Sequence, residues 1–374
     1  MKIVYLANSI IPSKTANSIH IMKMCQAFAD NGNEVILVVP NRYKEQIKNI
    51  NNVYSYYNVR KNFKIIFVKY MYLRYIGIIN HSINVFIKLS DIKPDFVYGR
   101  DFYSCFLSSF KYSTAIEIHA PLNNRIKEWM LNRIVKNKKF KKVIVISKIL
   151  KNLIICKQNI IKNNIYVAHD GADERYDFNT KVKSIIENKK LNIGYVGSLY
   201  KGKGIEVIEN IAPYLPEMMF HIVGGRNDDI EYWKKKINVS NVIFYGFLSQ
   251  EKINKYLNSF DICLLPNQID VYINNNINKN SNIGEYTSPL KMFEYMASKT
   301  PIVASDIPVL CEVLNHNSAI LVDSKDYKGW INSLELLRSK ELREKLLKNA
   351  NEDFILNYTW KVRAKNIIKE CINV

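Results

Sequence analysis

The residues best suited to chemistry lie in the run SPLKMFE, from Ser288 to Glu294. Ser288 followed by Pro289 is typical of a helix start, because a serine hydroxyl can cap an unpaired amide and the fixed φ of proline suits the first helical position. The amides of Leu290 and Lys291, the helix dipole and the lysine ammonium together favour a phosphate. Glu294 shares a helix face with Lys291, so its carboxylate could accept hydrogen bonds from two sugar hydroxyls. An ordinary capped helix with a surface ion pair is the alternative interpretation.

A glycine-rich loop provides a second candidate phosphate-binding stretch, in LNIGYVGSLYKGKGIEVIENI. A strand predicted over 191–196 leads into the loop from Gly197 to Gly204, and a helix follows. The loop amides could close around a phosphate, with Lys203 beside it. Strand-glycine-helix turns are common, so the pattern is weak alone. Together with the helix at Ser288, it predicts two sides of one nucleotide site.

Two polar residues end predicted strands in the first half of the chain. Arg100 follows a strand over 95–99, and His119 is the last residue of a strand over 114–119. In a doubly wound sheet the carboxyl ends of the strands face the ligand crevice, so both side chains are candidates for a site. A lone histidine is more often structural than catalytic, and that alternative applies to His119.

The elements that position these residues alternate between strands and helices, which predicts parallel sheets covered on both faces. The first unit of this kind is a strand over 2–7, a helix over 18–31 and a strand over 34–39. The loop between the first strand and helix lacks the glycine pair of a dinucleotide fingerprint, so an NAD site is not predicted.

The predicted boundaries are a first domain over 1–178, a linker over 179–190, a second domain over 191–355 and a C-terminal helical segment over 356–374, which the family resemblance given below implies crosses back to the first domain. The asparagine-rich segment 267–284 is expected to stay unstructured until a donor binds.

The stretch SPLKMFEYMASKTPIVASDIPVL resembles the signature of family 4 glycosyltransferases of the GT-B fold. The resemblance implies two Rossmann-like α/β domains facing across a cleft, with the acceptor on the N-terminal side and the nucleotide-sugar on the C-terminal side. It implies that the helix start holds the donor diphosphate and that Glu294 holds the ribose. Tyr286 stands where the family often has an earlier glutamate.

The resemblance extends to the other candidate residues. Lys203 matches a family lysine, and Ser198 occupies the place of an arginine. His119 is similar in placement to a histidine that the family directs at the donor sugar and its phosphate. Asn17, with Ala16, replaces a glycine of the first loop. The resulting site comprises catalytic His119, Lys203, Lys291 and Glu294, donor-binding Gly197, Ser198, Gly204, Tyr286, Ser288, Pro289 and Leu290, and the acceptor or cleft residues Asn17 and Arg100.

The function implied is transfer of a sugar from a UDP- or GDP-type nucleotide-sugar to a hydroxyl of a glycan or lipid-linked acceptor, with retention of anomeric configuration. Lys203, Lys291 and the helix start would help the diphosphate to depart, and His119 would stabilise the developing charge. No Asp-x-Asp motif is present in the sequence, so neither a metal nor another cofactor is expected.

Charge is concentrated in the first half of the chain. Residues 1–187 contain 30 Lys and Arg against 13 Asp and Glu, and the whole chain has a formal net charge of +20. The run from Arg125 to Lys142 has eight basic residues, one acidic residue and an apolar side that includes Trp129. A basic amphipathic helix on an anionic membrane is the favoured interpretation; a solvated face and nucleic-acid binding are alternatives, and no nucleic-acid-binding module is recognisable.

The segment 63–89 is dense in apolar and aromatic residues. It is interpreted as a buried helix, with an interfacial membrane surface as the alternative. The apolar N-terminus is interpreted as a first strand and not a signal peptide. The six cysteines form no C-x-x-C pair and are expected to be reduced core residues.

These features predict a cytoplasmic protein, with peripheral attachment to the inner face of the membrane as a further expectation. Two other functions stay open. One is a sugar-nucleotide epimerase on a similar two-domain shell, although no pair of acids and bases for it is evident. The other is a non-catalytic basic protein that binds membrane or nucleic acid.

Overall fold

The computed structural model describes residues 1–73, 76–158, 162–174, 190–272 and 282–372. The chain divides into two compact units, of which the first comprises Met1–His169 with Trp360–Val374 and the second comprises Asp170–Thr359. The C-terminal helix therefore groups with the N-terminal residues. The predicted linker lies outside the described residues except for Lys190, and so does the part of the asparagine-rich segment over 273–281.

The first unit is a seven-stranded parallel sheet in the order β3-β2-β1-β4-β5-β6-β7. Its elements are β1 Lys2–Leu6, α1 Ala16–Asp30, β2 Glu34–Pro40, α2 Val53–Tyr56, β3 Lys64–Val68, α3 Ile76–Ile92, β4 Phe96–Gly99, α4 Phe102–Ser108, β5 Thr114–Ile118, α5 Arg125–Ile134, β6 Phe140–Val145, α6 Lys148–Gln158 and β7 Ile165–Val167.

The second unit is a six-stranded parallel sheet in the order β10-β9-β8-β11-β12-β13. Its elements are β8 Leu191–Val196, α7 Ile205–Ile211, β9 Met218–Val223, α8 Asn227–Lys236, β10 Val242–Gly246, α9 Gln250–Leu257, β11 Ile262–Leu265, α10 Leu290–Ala297, β12 Ile302–Ser305, β13 Ile320–Val322, α11 Tyr327–Leu336 and α12 Lys340–Asn357; α13 Trp360–Ile372 then returns to the first unit.

Both sheets confirm the predicted fold class of two Rossmann-like α/β domains. Strands such as β2, EVILVVP, are almost entirely apolar because a parallel sheet is covered by helices on both faces. In each sheet the strand order reverses beside the first strand, between β1 and β4 and between β8 and β11. Ligands of doubly wound folds bind at the carboxyl ends of the strands at this point.

The start of α10 differs from the prediction. Pro289 is the N-cap, with extended φ and ψ of −78° and 124°, and the helix begins at Leu290. Ser288 is therefore not the cap, and no side-chain hydrogen bond caps this end. The extended conformation that a residue preceding proline favours places Ser288 outside the helix.

The prediction of one buried helix over 63–89 was wrong. The segment contains β3 and then α3, whose isoleucines Ile76, Ile79, Ile83 and Ile87 are about half exposed to well exposed. The amphipathic helix of the basic run is also shorter than predicted, because α5 ends at Ile134 and β6 begins at Phe140. β-Branched and aromatic runs of five or six residues suit a pleated strand as well as a buried helix, which explains both differences.

Four of the six cysteines are buried, as expected, whereas Cys156 and Cys311 are exposed and correct that part of the prediction. None of the six forms a disulfide. Among the described helices, none has both the length and the apolar character that crossing a bilayer demands.

Candidate active site

In the second unit, a tyrosine holds the glycine-rich loop beside the start of α10. Tyr295, on α10, accepts a hydrogen bond from the Val196 amide at the end of β8, at 2.8 Å. Gly197 follows directly, and a Cβ atom built on it would lie 3.6 Å from Cδ of Lys291. The two stretches that the sequence singled out are therefore adjacent, at the carboxyl end of β8.

The end of this loop requires glycine. Gly204 is the N-cap of α7 and has a φ of +93°, and a Cβ atom there would lie 2.0 Å from the carbonyl oxygen of Pro266. Any side chain would therefore push the loop away from the residue that follows β11. The contact keeps the loop tight against the sheet edge.

Lys291 is the most unusual residue of this site. Its side chain is buried, and its ammonium has no hydrogen-bond partner among the described residues. Nζ lies 4.1 Å from the ring centroid of Tyr195, a cation–π contact. Burial, and secondarily the charge of Lys203, hold the pKa of Lys291 well below its usual range. A buried ammonium in this state is costly, and an anion would relieve the cost.

Lys203 brings a second positive charge to the same place. It is half-buried, and its Nζ lies 5.2 Å from the ring centroid of Tyr200. Burial lowers the pKa of Lys203 to about 8. Two neighbouring ammonium groups repel each other, whereas the partners of an ion pair attract. The negative charge of a diphosphate would neutralise both lysines.

The other predicted donor-binding residues differ in exposure. Ser288 is buried, and its Oγ has no hydrogen-bond partner among the described residues. Tyr286 is buried, which raises the pKa of its phenol. Ser198 is exposed, and its carbonyl accepts a hydrogen bond from Tyr195 at 2.7 Å. Glu294 is half-buried on α10, three residues beyond Lys291.

Sequence reasoning missed Asn267, which comes two residues after β11. Its side chain is buried and its Oδ1 has no hydrogen-bond partner within the described ranges. A buried acceptor without a partner is unusual in a folded protein, so Asn267 joins the candidate residues at the switch point of this sheet. The signal available in the sequence was the position of Asn267 directly after a predicted strand and Pro266.

The first unit contains a different polar cluster, centred on Glu117 in β5. Its Oε1 accepts hydrogen bonds from His119 Nε2 at 2.6 Å and from Arg363 Nη2, on α13, at 2.7 Å. His20 Nε2, on α1, lies 3.2 Å from the same oxygen, and the hydroxyl of Tyr98 donates to Oε2. Burial alone would raise the pKa of Glu117, but Arg363, His20 and His119 outweigh it and hold that pKa well below its usual range.

The predicted acceptor residues lie around the same cluster. Arg100 Nη1 is 3.3 Å from Nδ1 of His20, and the ring of His20 meets the ring of His119 edge-on at 5.0 Å. Asn17, on α1, donates from Nδ2 to Ser9 Oγ at 3.3 Å. Arg100 and His119 are thus joined through His20, at the carboxyl ends of β4 and β5.

Three side chains of this cluster have the chemistry of metal ligands: His20, Glu117 and His119. The guanidinium of Arg363 already occupies the carboxylate at 2.7 Å. A divalent cation bound there would face that positive charge, so these residues fit a hydrogen-bond network better than a metal site. The absence of a metal requirement stays a prediction.

Glu117, His20 and Arg363 were not among the candidates from sequence. The spacing of Glu117 and His119 by two residues was a usable signal, since alternate residues of a strand share a face. No comparable signal links Arg363 to Glu117, because 246 positions separate them in the chain.

Comparison with known families gives a match to the glycosyl transferases group 1 model over residues 190–339. This range holds the glycine-rich loop, both lysines and Glu294.

Known proteins show the same relationship. An uncharacterised glycosyltransferase of Methanocaldococcus jannaschii is 26% identical over 251 residues, which cover 62% of this chain and 59% of that protein. A processive diacylglycerol alpha-glucosyltransferase of Acholeplasma laidlawii is 24% identical over 187 residues, covering 47% of this chain and 51% of that protein. The chain thus spans a little over half the length of these two curated relatives.

Among solved structures, the HepE protein of Anabaena in complex with UDP superposes with a TM-score of 0.70 over 100% of both chains, at 12% identity. At that identity the likeness shows the fold alone. Residues 190–339 are thus similar to the group 1 glycosyltransferases, and the whole chain shares the fold of the HepE protein.

Proposed function

We propose that this protein is a glycosyltransferase that moves a sugar from a nucleotide-diphosphate donor to a hydroxyl acceptor. The observation that carries the proposal is the buried ammonium of Lys291, which has no hydrogen-bond partner in the described ranges and lies next to Lys203, Gly197 and the open end of α10. The first amides of a helix have no intrahelical acceptors and point outward along its dipole. Two cations and these amides suit a pyrophosphate, because both of its phosphate groups carry negative charge.

In the proposed reaction, the bond between the anomeric carbon and the diphosphate breaks, and the nucleotide diphosphate leaves with the electron pair. Lys203, Lys291 and the start of α10 stabilise the charge that develops on it. Glu294 holds the ribose, and the acceptor hydroxyl attacks from the face that the diphosphate leaves and gives its proton to the departing phosphate oxygen. The product keeps the anomeric configuration of the donor, and His119 acts on the donor sugar, as the resemblance to family 4 implies.

Two lysines can supply the positive charge that a divalent cation supplies in other nucleotide-sugar enzymes. We therefore expect transfer to proceed without an added metal. EDTA treatment of the purified protein should leave the initial rate unchanged, and recovery of a lost rate by Mg²⁺ or Mn²⁺ would contradict this part of the proposal.

The experiment that tests the function incubates the protein with a panel of UDP- and GDP-sugars and measures nucleotide release, with and without glycan and lipid-diphosphate acceptors. Lys291→Ala and Glu294→Ala should each reduce transfer by orders of magnitude while the protein stays folded. Lys234→Ala, which removes an exposed lysine of α8, is the matched control and should keep the wild-type rate. Wild-type turnover in both site variants would remove the site assignment.

The panel also separates the other functions. An epimerase would change the configuration of the sugar without needing an acceptor, and a non-catalytic binder would release no nucleotide under any condition. NMR of the product would show whether the anomeric configuration is retained.

For the acceptor, we propose a lipid-linked or surface glycan reached at an anionic membrane on its cytoplasmic face. α5 exposes Ile126 and Trp129, at 63% and 62%, beside Arg125 and Arg133. α4 packs against both α5 and α3, and α3 exposes four isoleucines of its own. Apolar side chains with basic neighbours are what an anionic lipid surface attracts. The relative named for glucosylation of a diacylglycerol supports the same acceptor class.

Vesicles of phosphatidylglycerol and phosphatidylcholine test the membrane proposal. The protein should sediment with anionic vesicles at low salt, and Ile79→Ser with Trp129→Ser should weaken retention severalfold. Leu336→Ser, at an equally exposed position of α11 in the second unit, is the control and should bind as wild type does. Failure of the wild-type protein to bind anionic vesicles at low salt would exclude the membrane surface.

A further inference from the structure

Glu117 is fully buried yet lies one hydrogen bond from the half-buried side chain of His119. The carboxylate has no exposed surface, whereas the His119 side chain is 19% exposed. Glu117 therefore cannot touch a substrate, although it contacts the residue that the proposed function directs at the donor sugar. A role for Glu117 in the reaction would have to act through His119.

The hydrogen bonds around Glu117 determine which nitrogen of His119 carries hydrogen. Three donors converge on this carboxylate, from His119, Arg363 and Tyr98, and the ring of His20 lies 3.2 Å from Oε1. The neighbouring positive charges keep it ionised, and an ionised carboxylate only accepts hydrogen bonds. The His119 Nε2 that lies 2.6 Å from Oε1 must then be the donor. The other ring nitrogen, Nδ1, is the one through which the ring would address a donor sugar.

Arg363 fixes the carboxylate from the C-terminal helix. Its Nη2 donates to Glu117, and its Nε donates to the carbonyl of His169 at 2.8 Å. The Arg363 side chain is 2% exposed, so these bonds form away from water and hold the guanidinium in a single orientation. Since Oε1 is shared between Arg363 and His119, the position of the arginine limits where the histidine can bond.

We propose that Glu117 is a positioning residue, which fixes the tautomer and ring orientation of His119, and that Arg363 of α13 holds Glu117 in place for this role. The catalytic meaning of the proposal rests on the proposed function, whereas the link between the three side chains does not. The relation is the one by which a buried carboxylate orients a reactive imidazole in other enzymes. A purely structural ion pair would stabilise the fold but would not determine the state of His119.

The first test is spectroscopic and needs no substrate. In the full-length chain labelled with ¹⁵N-histidine, a long-range ¹H–¹⁵N spectrum should show His119 with hydrogen on Nε2, the assignment coming from the signals lost in His119→Gln. Hydrogen on Nδ1 with a bare Nε2 would overturn the proposal.

The second test replaces the acceptor and its cation together, because Glu117→Met alone would leave Arg363 buried without a partner and could unfold the protein. Glu117→Met with Arg363→Met should fold, should lose the single His119 tautomer, and should lower kcat at least about tenfold while the KM for the donor changes less than about threefold. Glu117→Gln keeps an acceptor oxygen and should retain the tautomer.

The control is the exposed pair of the second unit, Glu217 and Arg338, replaced in the same way by Glu217→Met with Arg338→Met. It should leave both the spectrum and kcat unchanged. A Glu117/Arg363 double variant with the wild-type tautomer and kcat would overturn the proposal. A wild-type protein with the expected tautomer but no transfer would instead contradict the proposed function.

Discussion

The two units bury charge in opposite ways. In the first, the carboxylate of Glu117 accepts hydrogen bonds from His119, Arg363 and Tyr98, and the charges of Arg363, His20 and His119 hold its pKa low. In the second, Lys291 and Lys203 have lowered pKa values and lie near each other, and the ammonium of Lys291 has no hydrogen-bond partner in the part of the chain that the structure describes.

We propose that the difference separates a cluster that is complete from one that binds a ligand. A buried charge with all its partners stabilises one arrangement of its neighbours, whereas a buried charge without partners costs free energy until something of opposite sign arrives. Proteins retain such a cost where binding requires it. The Glu117 cluster is therefore best understood as a support, and the lysine pair as a site for an anion.

The largest expected effect is on stability in the first unit. Arg363→Met leaves the buried carboxylate of Glu117 without its main cation, and it should lower the free energy of unfolding by about 3–5 kcal/mol. Urea titration followed by circular dichroism measures this. The loss should be greatest above the ordinary pKa of a glutamate, because a carboxyl with a lowered pKa in the folded state contributes stability there and loses it as the pH falls. A variant as stable as wild type at pH 7 would show that Arg363 is not the cation that stabilises the buried carboxylate of Glu117.

The corresponding change in the second unit should have the opposite sign. Lys291→Met removes a buried charge that no described residue hydrogen-bonds, so the ligand-free protein should become more stable, by about 1–3 kcal/mol. The same variant should bind UDP about 100-fold more weakly, or worse, since removing one partner of a buried charge pair costs about 2–5 kcal/mol. Thermal unfolding with and without UDP measures both effects. A Lys291→Met variant that is less stable than wild type and still binds UDP would show that Lys291 supports the fold and does not bind the ligand.

The pH dependence of donor binding tests whether the lysine pair of the second unit binds the phosphates. The pKa of Lys203 is about 8 in the free protein, so the side chain loses its charge as the pH rises through that value. UDP affinity should therefore fall as the pH rises through about 8, by up to about tenfold per pH unit for this one group. Titrations between pH 7 and 9 test this, and Lys203→Arg should remove the part of the dependence that comes from residue 203, because arginine stays charged, and leave the part that comes from Lys291. Constant affinity across that range in the wild-type protein would exclude Lys203 as a phosphate ligand.

The smallest effect concerns Ser198, which stands where the resembling family has an arginine. Ser198 is exposed at the loop, so Ser198→Arg adds a positive charge without filling a buried space. UDP affinity should rise about threefold to tenfold, and the gain should shrink at high salt because exposed charges are screened. Unchanged affinity at low salt would mean that residue 198 does not lie near the bound diphosphate.

Much of the fold could be predicted from the sequence, because its signals are local. The apolar strands and the alternation with helices gave both parallel sheets, and the glycines and Ser288-Pro289 marked the loop and helix beside Lys291. The one-residue error at Pro289 reflects two rules that compete at a proline, one placing it first in the helix and the other extending the residue before it.

The Glu117 cluster could not be predicted in the same way. Its members come from β5, α1 and α13, and a salt bridge between distant segments leaves no periodic trace in one sequence. The exposed isoleucines of α3 were also missed, since an apolar run indicates burial unless its packing partners are known.

The most direct test of the central claim is calorimetric titration of the wild-type protein and Lys291→Met with UDP, UMP and uridine, repeated with GDP. If Lys203, Lys291 and the start of α10 bind a pyrophosphate, the wild-type protein should bind UDP at least about tenfold more tightly than UMP, and Lys291→Met should lose that preference. No heat with either UDP or GDP, or a preference for the diphosphate that survives in Lys291→Met, would contradict the claim.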